Sequence, residues 1–236
     1  MTARSIRQAA LRGLQITGAM SRAANSRRRK ERLLILCYHG ISLEDEHNWL
    51  GHLYIPAAKF ERRLQLLRSL NANVLPLGEA IDRLQKRSLP PRSVAITFDD
   101  GFADFRVHAV PQLRKFGYPA TLYLTTHYCR HQVPLFNLIT GYLIWKSGRT
   151  SLELPAFGVD EVLPVTTYPE RQVVVNRVVE WAASQSAGTE EKDAIARSLA
   201  GLLGLDYDRI LRARILQLMN PAEVADAARS LQYFRR

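Results

Sequence analysis

The sequence is poor in cysteine and has no long apolar run. Cys37 and Cys129 are the only cysteines among 236 residues, which is too few for a disulfide scaffold and fits a reducing compartment. Because Cys37 lies in an apolar stretch, we expect a buried thiol there. No stretch approaches the roughly 18 uninterrupted apolar residues of a transmembrane helix. The length indicates one domain with a substantial core, with or without an extra lobe.

Acidic residues are absent from residues 1–30, which form a basic leader. Eight of the eleven units of net positive charge lie there, on Arg4, Arg7, Arg12, Arg22, Arg27, Arg28, Arg29 and Lys30. The rest of the chain is therefore close to electrical balance. It has no basic stripe interleaved with aromatic residues, so nucleic-acid binding by the whole domain is not predicted.

Three interpretations of the leader remain open. Ile6, Ala10 and Leu14 share one helical face, which favours a basic amphipathic helix on an anionic membrane surface. The composition also fits an organelle transit peptide, and a soluble, frayed helix is the simplest alternative. Because a long apolar segment is missing, classical secretion is disfavoured. We expect a cytoplasmic protein with peripheral membrane contact through residues 1–30.

Short apolar runs alternate with helical patterns between residues 32 and 126. Three runs are predicted to be strands, namely Leu33–Tyr38 (LLILCY), Ser93–Phe98 (SVAITF) and Ala120–Thr126 (ATLYLTT). A helix is expected after Pro56, where Phe60, Leu64 and Leu67 recur at helical spacing. Helices are also expected from Gly78 to about Arg87 and around Pro111, which interrupts or starts its helix. This alternation predicts an α/β fold with a mainly parallel sheet or barrel. Functional residues gather beyond the carboxyl ends of the strands in such folds.

After Pro134 the pattern becomes mostly helical. Helices are predicted over residues 135–145, 173–184 and 190–203, with residues 152–167 irregular or weakly extended. A last helix is predicted from Asn220-Pro221 onward, with Asn220 as the N-cap and Pro221 as the first helical residue. We interpret this half as a helical insertion. The predicted domains are the leader at 1–31, the N-terminal part of an α/β domain at 32–134, and the insertion with a truncated C-terminal part at 135–236.

The densest chemistry lies in the sequence Thr97-Phe98-Asp99-Asp100-Gly101. Two adjacent carboxylates at the end of an apolar strand are costly to bury unless their charge is used. A metal would neutralise one of them and leave the other free as a base. The structural alternative is a pair that satisfies a turn and caps the following helix. A phosphotransferase built on paired aspartates is a third interpretation, but its usual D-x-D spacing is absent.

The TFDDG motif lies about 60 residues after the strand end Cys37-Tyr38-His39-Gly40-Ile41. Together the two motifs resemble the polysaccharide deacetylase family, also called the NodB-homology domain. The Tyr-His strand narrows the resemblance to the branch that includes the poly-N-acetylglucosamine deacetylases. The resemblance covers residues 32–126 well and continues more loosely beyond them. It implies a partial (β/α) barrel of the deacetylase type with a mostly helical insertion.

The resemblance implies roles for three residues. Asp99 would be the catalytic base that deprotonates a metal-bound water, and Asp100 would be a ligand of that divalent metal, preferably zinc. His39 would be the general acid that protonates the leaving amine, although a structural histidine bonding a loop carbonyl is the alternative. The implied reaction is hydrolysis of N-acetyl or O-acetyl groups on an acetylated polysaccharide or oligosaccharide.

One part of the family pattern is absent. The resemblance calls for two further histidines about four residues apart on a strand after the insertion, but no histidine follows His131. His127 and His131 have a similar spacing, yet they precede the insertion, so we expect a loop pair rather than metal ligands. Two of three metal ligands and the final barrel strands are therefore expected to be missing.

These observations predict a metal-dependent polysaccharide deacetylase that is impaired by the missing histidine pair and truncated at its C-terminal end. The alternative is a non-catalytic remnant or carbohydrate-binding module that keeps a sugar-facing cleft, with the basic leader at a membrane surface. The expected partner is an acetylated polysaccharide or oligosaccharide and not a nucleic acid. The sequence gives no indication of the oligomeric state.

Overall fold

The computed structural model describes residues 32–232 and, apart from these, Ser26. The rest of the predicted leader and residues 233–236 lie outside the described part. The helix, membrane contact and localisation predicted for the leader therefore stay predictions. Among the described residues, no helix is both long enough and apolar enough to cross a membrane.

The strands form one parallel sheet and two small pairs. They are β1 (Leu34–Tyr38), β2 (Gly40–Ile41), β3 (Tyr54–Ile55), β4 (Asn73–Val74), β5 (Ser93–Phe98), β6 (Thr121–Leu122), β7 (Ser151–Leu154) and β8 (Val159–Pro164). In the parallel sheet, β5 pairs with β1 on one side and with β4 and β6 on the other. All residues of β5 are buried, as expected for a central parallel strand with an apolar sequence.

Helices surround the sheet and build most of the second half. They are α1 (Glu46–Trp49), α2 (Ala57–Ser69), α3 (Leu77–Gln85), α4 (Val110–Phe116), α5 (Thr126–His131), α6 (Phe136–Lys146), α7 (Tyr168–Ser184), α8 (Thr189–Leu202), α9 (Tyr207–Arg212) and α10 (Pro221–Gln232). A π-helical turn at Phe105–Ala109 leads into α4, and a 3₁₀ turn at Pro155–Phe157 separates β7 from β8. The prediction of an α/β chain with a parallel sheet and a mostly helical insertion is confirmed.

Two local predictions differ from the structure. The run ATLYLTT forms a strand only at Thr121–Leu122, because β6 pairs with just the last two residues of β5 before Thr126 begins α5. Residues 152–167, predicted to be irregular or weakly extended, contain most of the regular antiparallel hairpin β7–β8. Its first strand reads Ser-Leu-Glu-Leu, with both leucines buried and the residues between them exposed. Alternation with a period of two therefore outweighs the absence of a long apolar run.

A cluster of buried apolar side chains, the sheet cluster, lies between the sheet and helices α2 and α4 and includes Tyr38, Phe60, Ile96, Phe98 and Phe105. Phe98 of β5 is at its centre, with ring centroids 5.3 Å from Tyr38, 5.7 Å from Phe60 and 4.8 Å from Phe105. Phe60 is one of the three buried apolar residues of α2 that the helical spacing predicted. These ring contacts hold the C-terminal ends of β1 and β5 together.

A larger cluster holds the helical insertion against the N-terminal part. It gathers apolar side chains of α6–α9 and the hairpin, but it also contains Trp49, Tyr54 and Phe102. Arg209 reinforces the contact through an ion pair with Glu44, with the two charged atoms 3.0 Å apart. The insertion and the N-terminal part therefore both contribute side chains to this larger cluster. The predicted domain boundary between residues 134 and 135 stays a prediction.

Candidate active site

His39 and Asp99 follow neighbouring parallel strands at equivalent positions. Tyr38, the last residue of β1, is in register with Phe98, the last residue of β5. The Asp99 N–H donates to the Tyr38 carbonyl oxygen over 2.9 Å, which continues the strand pairing by one residue. Because both strands run in the same direction, the residues that follow them emerge at the same edge of the sheet.

The His39 and Asp99 side chains form the centre of the site. The distance from His39 Nε2 to Asp99 Oδ2 is 3.6 Å, and the side chains are 37% and 35% exposed. This separation is longer than a hydrogen bond and within the range of an ion pair. Both groups are open to a ligand, so an imidazole and a carboxylate can exchange protons with one bound molecule.

Cys37 is a third member of this site, and the prediction that its thiol is buried is wrong. Cys37 is exposed, and its thiol donates to Asp99 Oδ2 with the sulfur 3.1 Å from the oxygen. Among the described strands β1 pairs only with β5, so β1 has an open edge. Alternation turns Tyr38 into the core and leaves Cys37 and His39 on the opposite side. Because residues two apart on a strand face the same side, the spacing of Cys37 and His39 could have predicted that this thiol lies beside His39.

The environment of Cys37 disfavours its thiolate. Although the residue is exposed, its thiol is partly removed from water. This desolvation and the hydrogen bond to Asp99 raise the pKa of Cys37. The thiol therefore holds its proton more firmly than a fully hydrated cysteine does.

Asp100 lies in a strained turn beside the pair. The Gly101 N–H donates to the Asp99 carbonyl oxygen over 2.8 Å, which makes a γ-turn centred on Asp100. The φ of Asp100 is 68°, a conformation that costs a non-glycine residue about 1–2 kcal/mol. The Thr125 N–H donates to the Asp100 carbonyl oxygen over 3.1 Å and ties the turn to the start of α5. Strain of this kind concentrates at functional sites.

The structure does not use the two carboxylates as helix caps. The following helical segment begins at Ala103, ahead of the π-helical turn at Phe105–Ala109, and no side-chain capping bond precedes that turn. Partial burial raises the pKa of Asp100, while the neighbouring His39 acts in the opposite direction. Asp100 therefore lies within electrostatic reach of His39 without a helix end to stabilise.

His127 and His131 lie on helix α5 and not in a loop, which corrects the predicted local structure. Their rings stack with centroids 4.2 Å apart. His131 Nδ1 is 2.9 Å from the His127 carbonyl oxygen, and His127 Nε2 is 3.0 Å from Thr189 Oγ1. In the described part of the chain, neither histidine joins a group of three potential metal ligands.

A polar cavity of about 260 Å³ opens beside the site. Cys37 and His39 line it together with His52, Lys59 and Arg63. The last two residues come from α2, one turn apart, and the Arg63 guanidinium lies 5.3 Å from the centroid of the Tyr38 ring. No sequence motif pointed to His52, Lys59 and Arg63, because a loop and a helix bring them to the site.

Residues 86–144 match the family model described as polysaccharide deacetylase. This segment contains β5, the TFDDG turn and the following helices. This part of the chain is thus similar to the polysaccharide deacetylase family, in agreement with the family predicted from the two motifs.

Two curated relatives match the chain over part of its length. YxkH of Bacillus subtilis, a polysaccharide deacetylase by name, is 34% identical over 94 residues, which cover 39% of this chain and 32% of that protein. The poly-β-1,6-N-acetyl-D-glucosamine N-deacetylase of Staphylococcus epidermidis is 30% identical over 109 residues, which cover 42% of this chain and 38% of that enzyme. The chain thus spans about a third of the length of these relatives, and the second agrees with the predicted branch.

A solved structure, the Streptococcus pyogenes deacetylase PplD in complex with acetate, shares 30% identity with the chain. The match covers 40% of this chain and 42% of that one, with a TM-score of 0.37. The α/β assignment rests on the parallel sheet described above.

Proposed function

We propose that this chain carries the acid–base part of a hydrolytic site that removes N-acetyl or O-acetyl groups from an acetylated polysaccharide. The observation that carries the proposal is the 3.6 Å separation of His39 Nε2 and Asp99 Oδ2. The pair lies at the carboxyl edge of a parallel sheet, where such folds place their chemistry. A relative named as a poly-β-1,6-N-acetyl-D-glucosamine N-deacetylase supports the substrate class.

In this proposal Asp99 is the base and His39 is the acid. Asp99 accepts a proton from the attacking water as its oxygen bonds to the acetyl carbon. His39 delivers a proton to the leaving nitrogen as the carbon–nitrogen bond breaks, which releases acetate and a free amine. The cavity lined by His52, Lys59 and Arg63 adjoins the pair and would receive the neighbouring sugar units.

The described residues do not fit the metal site that the family resemblance implies. Asp100 would supply one carboxylate ligand, but no group of three potential ligands within residues 32–232 includes Asp100. A single carboxylate holds a divalent ion weakly. We therefore propose that the polypeptide by itself deacetylates polysaccharides slowly or not at all, because water retains its high pKa and the oxyanion lacks a Lewis acid.

The acid–base proposal is testable on an activated ester that needs no metal. The substrate is 4-nitrophenyl acetate, and the parent protein is Cys37→Ser, because an exposed thiol would itself be acetylated. Adding Asp99→Asn should lower hydrolysis above background by about 100-fold, the low end of what general-base catalysis supplies. Asp160→Asn, which alters an exposed carboxylate of β8, is the matched control and should leave the rate unchanged. Equal rates for the Asp99 and Asp160 variants would contradict the assigned base.

Impairment is tested with acetylated glucosamine oligomers in the presence of zinc or cobalt. Acetate release at the background rate is expected, and clear metal-dependent turnover would refute the proposed impairment. The second candidate function, carbohydrate binding without turnover, is favoured by the cavity beside an incomplete ligand set. It predicts oligomer binding that Asp99→Asn leaves unchanged.

A further inference from the structure

We propose that Cys37, His39 and Asp99 form a binding site for a zinc-like divalent metal ion, distinct from any ion held by Asp100. The inference goes beyond the deacetylase proposal and does not depend on it. It rests on the position of three donor atoms, and its test needs no turnover.

The separations between the three donor atoms are close to those between the ligands of one bound metal ion. The Cys37 sulfur, a His39 ring nitrogen and an Asp99 carboxylate oxygen all lie within 4.8 Å of one another. Asp99 Oδ2 is 3.1 Å from the sulfur and 3.6 Å from His39 Nε2. Two ligands of a tetrahedral zinc ion, with bonds of about 2.0–2.3 Å, are roughly 3.3–3.7 Å apart. An ion therefore fits after small side-chain adjustments.

The backbone holds these donors in place before an ion arrives. Cys37 and His39 flank Tyr38 on one side of β1, and Tyr38 is buried in the sheet cluster. The hydrogen bond from the Asp99 N–H to the Tyr38 carbonyl oxygen fixes the third ligand to the same residue. Pre-positioning of this kind reduces the conformational entropy lost when the ion binds.

The donor types select the ion. Thiolate, imidazole and carboxylate are the ligands of zinc, and a thiolate disfavours magnesium and calcium. On binding, the Cys37 sulfur–hydrogen bond breaks, a sulfur–metal bond forms and the proton passes to solvent. Three protein ligands leave a fourth position for water. The exposed cysteine and the adjoining cavity give the ion a path from solution.

Within residues 32–232, this is the one group of three potential ligands that meets the distance condition. An ion bound there engages the Asp99 oxygen and the His39 nitrogen, which the proposed hydrolysis needs free. The site would therefore oppose acetyl hydrolysis rather than support it. The Cys37 sulfur gives the site a preference for zinc-like ions that the Asp99 oxygen and the His39 nitrogen alone would not give it.

Cobalt titration of the full chain tests the inference. Reduced protein that takes up one Co²⁺ should develop a near-ultraviolet thiolate-to-cobalt absorption band together with visible bands of a four-coordinate ion. One equivalent of zinc should abolish these bands. Wild-type protein without the near-ultraviolet band would overturn the proposal.

Matched variants identify the ligands. Cys37→Ser should abolish the near-ultraviolet band, and Asp99→Asn should weaken cobalt binding by at least about tenfold. Cys129→Ala, at the buried cysteine, should keep the band, as should Asp100→Asn at saturating cobalt. Circular dichroism checks that each variant is folded. A band that persists in Cys37→Ser, or disappears in Cys129→Ala or Asp100→Asn, would overturn the assignment whatever the outcome of the ester assay.

Discussion

The residues beneath the site leave little room for change. A Cβ atom at Gly40 would lie only 2.1 Å from Tyr54 Cε1. Tyr54 is 1% exposed, and its ring packs against Phe102 with centroids 5.5 Å apart. The backbone that carries His39 therefore rests directly on a rigid, buried ring, and glycine is required for that contact.

Asp104 is a buried carboxylate four residues after the aspartate pair. It is 3% exposed, and its Oδ1 has no hydrogen-bond partner among the described residues. Burial raises the pKa of Asp104 well above its usual range, and Glu46 acts in the same direction. A hydrogen bond with the Ile41 backbone opposes them. The folded protein therefore favours the protonated carboxyl group, in contrast to the unfolded chain.

Asp104→Asn should become more stable relative to the wild type as pH rises. The unfolded carboxyl group ionises near pH 3.9, about where a free aspartate does. Because the folded group ionises at higher pH, wild-type stability falls as pH rises between the two pKa values. The amide does not titrate, so the variant escapes this loss of about 1.4 kcal/mol per pH unit of separation. Urea unfolding near pH 3.5 and near pH 7 measures the difference.

The exposed carboxylate of Asp160 provides the control for burial, as Asp160→Asn. If the stability difference between Asp104→Asn and the wild type were the same at both pH values, the buried carboxyl group would not be the cause.

At the scale of secondary structure, reciprocal side-chain bonds cap the N-termini of two described helices, α7 and α10. Thr167 Oγ1 accepts from the Glu170 N–H over 3.4 Å, and Glu170 Oε2 accepts from the Thr167 N–H over 2.7 Å. This capping box begins α7. Asn220 and Glu223 make the same reciprocal bonds at α10, where the sequence predicted an N-cap. Local sequence thus fixes where both helices start.

Thr167→Ala should lower the free energy of unfolding by about 1 kcal/mol, the usual cost of removing an N-cap side chain. Thr125→Ala is the matched control, because Thr125 precedes α5 without a side-chain capping bond. The control should change stability by less than about 0.5 kcal/mol. Urea unfolding followed by circular dichroism measures both, and an equal loss in the two variants would show that the capping box contributes nothing.

Across the described part of the molecule, the buried apolar side chains form two clusters that draw their residues from the same chain segments. Ile96 belongs to the sheet cluster, whereas the three tryptophans, Trp49, Trp145 and Trp181, belong to or pack against the larger cluster. Trp49 comes from the N-terminal part and packs within the cluster of the insertion. Because neighbouring residues of one segment belong to different clusters, the clusters cannot unfold separately without disrupting that segment. We therefore expect one cooperative unfolding transition.

Ile96→Val tests this cooperativity. Ile96 is 1% exposed, and the loss of its methyl group should cost about 1 kcal/mol. Tryptophan fluorescence and circular dichroism should report the same loss, although every tryptophan lies in the other cluster. Ile35→Val makes the same change at a residue that is 48% exposed and should have little effect. If Ile96→Val left the unfolding transition followed by tryptophan fluorescence unchanged, the insertion would unfold as an independent domain.

Local patterns were enough to determine several features of this protein. The buried strand SVAITF, the apolar face of α2 and the cap at Asn220 depend on side chains a few residues apart. The sequence therefore predicted them with their bounds or faces nearly correct. The strand ends at His39 and Asp99 were found in the same way, which was sufficient to recognise the resemblance to the polysaccharide deacetylase family.

Contacts between distant segments decided the rest. The register of β1 on β5 places His39 beside Asp99 and, because no other described strand pairs with β1, exposes Cys37. The short pairing of β6 ends that strand early and puts the His127–His131 segment on a helix. Neither outcome follows from local propensity, because pairing and burial depend on partner strands that are distant in the chain: Leu34 pairs with Val94, and Thr97 pairs with Thr121.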